Sequence, residues 1–120
     1  MTEYRYTKDD RIVQLNELKK TLSDLIAYLE NSERYKDKVS VYQAALDVTI
    51  NLIEHGFDQE QLSELKRNIP DLFARHKEWI PPLEKNDAGN WIEPGWFQET
   101  ESYLQAVLKA AGVLSIIGYY

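Results

Sequence analysis

Apolar residues in the first third of the chain recur at the spacing of an α-helix. Ile12, Leu15, Leu18, Leu22, Leu25 and Leu29 follow at intervals of three and four, and from Leu15 to Leu29 the two intervals alternate strictly. That alternation lines up one helix face against neighbouring helices. Two heptads are too short for a free-standing coiled coil, so the pattern predicts one face of a bundle helix. Thr7 is the expected N-cap, Asp9 and Asp10 follow in the first turn, and Asn31-Ser32 marks the end.

A second helix is expected from Glu33 or Tyr35 to His55, with Gly56 just beyond its last turn. It carries two apolar stripes, Val39-Tyr42-Leu46-Ile50-Ile53 and Val41-Ala45-Val48-Leu52. Ser40, Gln43, Asp47, Asn51 and Glu54 form the narrow polar remainder. A helix apolar over most of its circumference is packed on more than one side, which predicts that this is the central helix of the core. The polar strip reads as a solvated or interface edge.

Asp58 with Gln61 three residues on makes a capping box for a third helix, whose face is Leu62, Leu65 and Ile69 and which Pro70 ends. A further short helix is expected over 71–79, with Leu72, Phe73, His76 and Trp79 as packing positions. Pro81-Pro82 then stops helix formation. Asn86-Asp87-Ala88-Gly89-Asn90 and Pro94-Gly95 are turn signals. The last helix is expected to begin at Trp96 or Phe97, with Glu99 and Glu101 in its first turns, and to run to about Ile117 with Gly118 as cap. Leu104, Val107, Leu108, Ala111 and Leu114 are its core face. The predicted fold is therefore all-α. It is a single domain over residues 1–120, a compact bundle of four to five helices with one long aromatic and proline-rich loop before the C-terminal helix. No strand is expected.

Composition adds compartment and charge. There is no cysteine, which excludes disulfides and thiolate metal sites. The N-terminus lacks the basic-then-apolar layout of a secretory signal. The most apolar run, Tyr103 to Tyr120, is interrupted by Gln105, Lys109 and Ser115 and reads as a buried helix, not a membrane span. A cytoplasmic location is the expectation. The net charge of −6 is uneven. Residues 1–53 hold nine acids and eight bases, residues 54–101 eleven acids and five bases, and Lys109 stands alone beyond. Such a middle section disfavours direct contact with nucleic acid, which needs Lys/Arg clusters, and suits a basic protein partner.

Candidate chemistry is sparse. His55 and His76 have no ligand-spaced neighbours, and His55 suits a helix C-terminus. The five glycines stand apart, so no phosphate loop forms, and the serines lack an elbow-like context. Glu99 and Glu101 are two apart, hence on different sides of a helix. No catalytic residue, cofactor or metal is assigned, and a non-enzymatic role is expected. What remains is the stretch from Trp79 to Phe97, which holds all three tryptophans and three of the four prolines. Its alternatives are a plug for the open end of the bundle and a partner-binding loop, since long ordered loops tend to carry function. Trp79 and Trp96 are expected to pack, and Trp91 to be an exposed anchor. The candidate partner-binding residues are Glu84, Asp87, Trp91, Glu93 and Trp96, an aromatic centre with an acidic surround.

In size, acidity and lack of catalytic motifs the chain is similar to bacterial immunity proteins. That similarity of composition implies a protein that neutralises a cognate toxin, often a basic nuclease, by covering its active site. An immunity or inhibitor protein bound to a basic toxin domain is the leading expectation. A homo-oligomeric helical adaptor, as a homodimer through the leucine seam and the second helix, is one alternative. A phage or mobile-element inhibitor that mimics nucleic-acid charge is the other.

Overall fold

A computed structural model of the chain describes residues 6–72 and 82–116. Within them lie four α-helices and one two-stranded hairpin. The helices are α1 (Lys8–Glu30), α2 (Val39–His55), α3 (Gln59–Arg67) and α4 (Gly95–Gly112). The strands are β1 (Glu84–Lys85) and β2 (Trp91–Ile92), and single 3₁₀ turns cover Lys36–Lys38 and Val113–Ser115. The protein is thus mostly helical, but the stretch before α4 contains paired strands that the periodicity did not announce. The short helix expected over 71–79 lies outside the described residues beyond Leu72, as do His76 and Trp79.

The helix starts follow local chemistry. Thr7 accepts a hydrogen bond from the Asp10 backbone N–H at 3.1 Å while its own N–H donates to the Asp10 carboxylate at 3.0 Å. Asp58 and Gln61 make the same reciprocal pair at 2.8 and 2.9 Å. Each box satisfies two donors that a helix N-terminus otherwise leaves open. Gly56 ends α2 with φ 94°, where a side chain would be strained, and its N–H donates to the Leu52 carbonyl. Pro94, fixed in extended geometry, starts α4 at Gly95, because its carbonyl accepts from both Phe97 and Gln98. That start is a residue or two earlier than expected, and it moves Glu99 and Glu101 out of the first turn. At the far end α4 tightens into the 3₁₀ turn after Gly112, and Ile116 is already extended. Gly118, the expected cap, lies outside the described residues.

The core is organised around α1, not α2. Leu15, Leu18, Leu22, Leu25 and Leu29 are all fully buried. Helix α1 packs against both α2 and α4, while α2 and α4 do not meet. The expectation that α2 is central is therefore corrected. Its Tyr42, Ala45, Thr49 and Leu52 are buried, but Val41 and Val48 remain 42% and 46% exposed. The buried face of α2 is Tyr42-Ala45-Thr49-Leu52, which draws on both stripes; Leu46 and Ile53 of the first are partly buried against the core, and Val41 and Val48 of the second stay open. The polar strip from Ser40 to Glu54 lies in solvent as expected. Buried hydroxyls are satisfied within their own helices: Thr21 bonds to the Leu18 carbonyl, Thr49 to Ala45 and Thr100 to Trp96.

Directions follow from contacts at the ends. Arg11 near the start of α1 reaches the carbonyls of Val113 and Ile116, and Tyr28 near its end reaches Thr100 and the Trp96 carbonyl. Helices α1 and α4 are therefore antiparallel. Gln59, just past α2, meets Arg11, so α2 also runs antiparallel to α1.

Candidate functional site

The hairpin is built by its loop. Asn86 N–H donates to the Asn90 carbonyl at 2.8 Å, and Gly89 N–H donates to the Asn86 carbonyl at 2.9 Å. The Asn86 side-chain oxygen accepts from both Ala88 and Asn90. Gly89 has φ 82°, the left-handed geometry that closes a three-residue hairpin loop and that glycine adopts without strain. Asp87, Ala88 and Gly89 are that loop, and the register that results pairs Glu84 with Ile92 and Lys85 with Trp91.

Register decides which side chains share a face. Residues directly opposite in an antiparallel pair project to the same side, and their neighbours to the other. Lys85 therefore accompanies Trp91, and its ammonium lies 5.7 Å from the indole centroid, within cation–π range. Glu84 shares the opposite face with Ile92. The expectation of Trp91 ringed by acids is thus altered. The side chain across from it is a base, Asp87 sits at the loop tip, and Glu93 follows two residues after Trp91.

Trp91 is 65% exposed, and Leu83 and Ile92 are exposed as well. Glu84, Asp87 and Glu93 are exposed around them. Trp96 does not belong to this surface. It lies half-buried in the first turn of α4, with the Arg34 guanidinium 4.0 Å over its ring, Tyr35 at 6.3 Å and Phe97 edge-on at 6.1 Å. Its indole nitrogen is enclosed and has no hydrogen-bond partner among the described residues. Tyr28, stacked on Tyr103 at 4.8 Å, extends the cluster and bonds the Thr100 hydroxyl at 3.1 Å. Burial raises the Tyr35 pKa above its ordinary value, an effect that Arg34 opposes and Tyr28 reinforces. Trp96 thus packs the start of α4, two residues after the Pro94 junction, against Arg34 and Tyr35 beyond the end of α1.

The opposite end holds a polar clasp with no counterpart in the sequence reading. Arg11, 6% exposed, donates to Gln14 and to the Val113 carbonyl with one nitrogen, and to Gln59 and the Ile116 carbonyl with the other, all at 2.7–2.9 Å. Gln59 in turn donates to the Leu114 carbonyl and to Ser63. The guanidinium thus occupies the negative end of α4. Burial lowers its pKa from the ordinary value, and Tyr6, whose ring lies 4.8 Å away, works in the other direction. Tyr42 hydrogen-bonds the Pro70 carbonyl at 2.9 Å. Its hydroxyl pKa is raised, first by burial and then by Asp71. These groups are held by their partners in structural roles.

His55 stands in solvent beside Glu54 at 3.9 Å, an exposed pair of little energetic weight. Among the described residues no group of three or more His, Asp or Glu side chains is placed to hold a metal ion. No helix among them is long and apolar enough to cross a membrane. No family model, curated protein or solved structure matches the chain.

Proposed function

We propose that the protein is a non-enzymatic binding module that docks on another protein through the hairpin from Leu83 to Glu93, as an immunity or inhibitor protein would dock on a toxin domain. The observation that carries this reading is Trp91, a large aromatic side chain 65% exposed on a hairpin whose loop is internally hydrogen-bonded. A tryptophan held in water by ordered backbone loses little conformational freedom when it is covered, the property of an interface hot spot. Leu83 and Ile92 supply apolar surface beside it. Glu84, Asp87 and Glu93 form a polar rim suited to steering a basic partner. The leucine seam is consumed inside the chain by α2 and α4, so a homo-oligomer would have to use other surface.

The test is a differential capture. The wild-type chain and a Trp91→Ala, Glu93→Lys double variant serve as paired baits in lysate of the native host. The expected result is a protein retained by the first and lost by the second, with affinity for the purified partner falling at least about ten-fold while helix content stays constant. Equal affinity for both baits would place the contact elsewhere on the molecule.

A further inference from the structure

A second open surface, which shares no residue with the hairpin, lies between α2 and α3. It is a groove of 430 Å³. Val41, Ala44, Val48 and Leu52 of α2 form one wall, and Leu65 of α3 the other. Val41 and Val48, the half of α2's second stripe that no helix covers, stand at its mouth. The wall from Val41 to Leu52 is about 17 Å long at 1.5 Å per residue, enough for about three turns of a docked helix. A slot between two helices takes the ridge of a third by the same packing that builds bundles.

We infer that this groove receives a basic amphipathic helix of a partner protein. Charge selects that occupant. Glu64 is the one charged residue of the lining, beside Asn51, Gln61 and Asn68. Around it Asp47 adjoins Val48, Glu54 lies one turn beyond Asn51 and Glu60 one turn before Glu64, all exposed. Arg67, one turn after Glu64, and Lys66, beside Leu65, are the bases at the end of α3, and Lys38 lies one turn before Val41. An apolar floor with Glu64 in its lining, under a rim that holds more acids than bases, complements a helix with aliphatic residues on one face and Lys or Arg on its flanks. It repels a second copy of this chain, which would bring the same acids and a net charge of −6 to the contact. The Asn51 and Asn68 carboxamides have no side-chain hydrogen-bond partner among the described residues, so they can pair with polar groups of the incoming helix.

The inference stands apart from the hairpin reading, and its test separates the two. The probe is a synthetic peptide of about 14 residues with Leu and Lys at helical spacing, long enough as a helix to span the groove. A second peptide with Glu in place of Lys is the control. Both are titrated into the isotope-labelled full chain and followed by amide chemical shifts. The expected shifts fall in residues 41–52 and 61–68, with the Lys peptide binding at least about ten-fold tighter than the Glu peptide. Binding should weaken near 1 M salt, where the screening length is about 3 Å. Val48→Lys and Glu64→Lys, both at exposed positions, should each weaken it about ten-fold with helix content unchanged, and Trp91→Ala should leave it intact. Shifts confined to other residues, equal binding of the two peptides, or affinity that survives both groove variants would overturn the inference. So would concentration-dependent shifts at residues 41–52 without peptide, which would assign the groove to self-association.

Discussion

Leu22→Ala is expected to lower the unfolding free energy by about 3–5 kcal/mol, a large share of the roughly 5–15 kcal/mol that holds a domain of this size together. Leu22 is fully buried in the middle of α1, the helix against which both α2 and α4 pack. Truncation removes its transfer free energy and also leaves a cavity between helices that cannot both collapse into it. Val13→Ala on the same helix is the control. Val13 is 69% exposed, so its loss should fall within about 0.5 kcal/mol. Urea titration followed by circular dichroism measures both. A Leu22→Ala cost near that of Val13→Ala would mean that α1 is not the organising helix.

Replacing Arg11 by methionine should cost about 2–4 kcal/mol, because it keeps the aliphatic stem and removes four hydrogen bonds at once. The Val113 and Ile116 carbonyls and the Gln59 amide oxygen all lose their donor. The end of α4 then loses the positive charge that balances its dipole. Lysine is not an adequate substitute, since one ammonium lacks the planar fork that serves several acceptors in different directions. Arg11→Lys should therefore lie closer to Arg11→Met than to wild type. Thermal unfolding gives the magnitude, and hydrogen exchange gives the location. Amides of the turn around Leu114 to Ile116 should exchange faster in Arg11→Met, while those of α1 near Leu22 change only with global stability. Unchanged exchange at that turn would show that the clasp does not hold the end of α4.

The elements that could be read from sequence are those whose signal is local. Thr7 with Asp10 and Asp58 with Gln61 fix helix starts within four residues, and Leu15 to Leu29 displays its buried face in its own spacing. What escaped depends on neighbours. Two apolar stripes on α2 looked like two packed sides, yet periodicity cannot tell the members of a stripe that meet the core, such as Ala45 and Leu52, from those left beside a groove, such as Val41 and Val48. Arg11 carried no signal because two of its acceptors are backbone carbonyls more than 100 residues away in sequence. The hairpin was half legible. Asn86 to Asn90 reads as a turn, but strands of two residues between prolines show no alternation to recognise. Gly89 as the last residue of a three-residue loop was the clue to register, and it alone would have placed Lys85, not Glu84, across from Trp91.

The Trp91 indole stands in water on a hairpin that Pro94 joins to the start of α4. Acrylamide quenching of tryptophan emission tests this most directly. The Trp91 contribution is taken as the difference between wild type and Trp91→Phe, first free and then saturated with the partner isolated by capture. The expected result is a readily quenched, water-exposed component in the free chain that becomes protected in the complex. A Trp91 component as accessible in the complex as in the free chain would contradict docking through the hairpin.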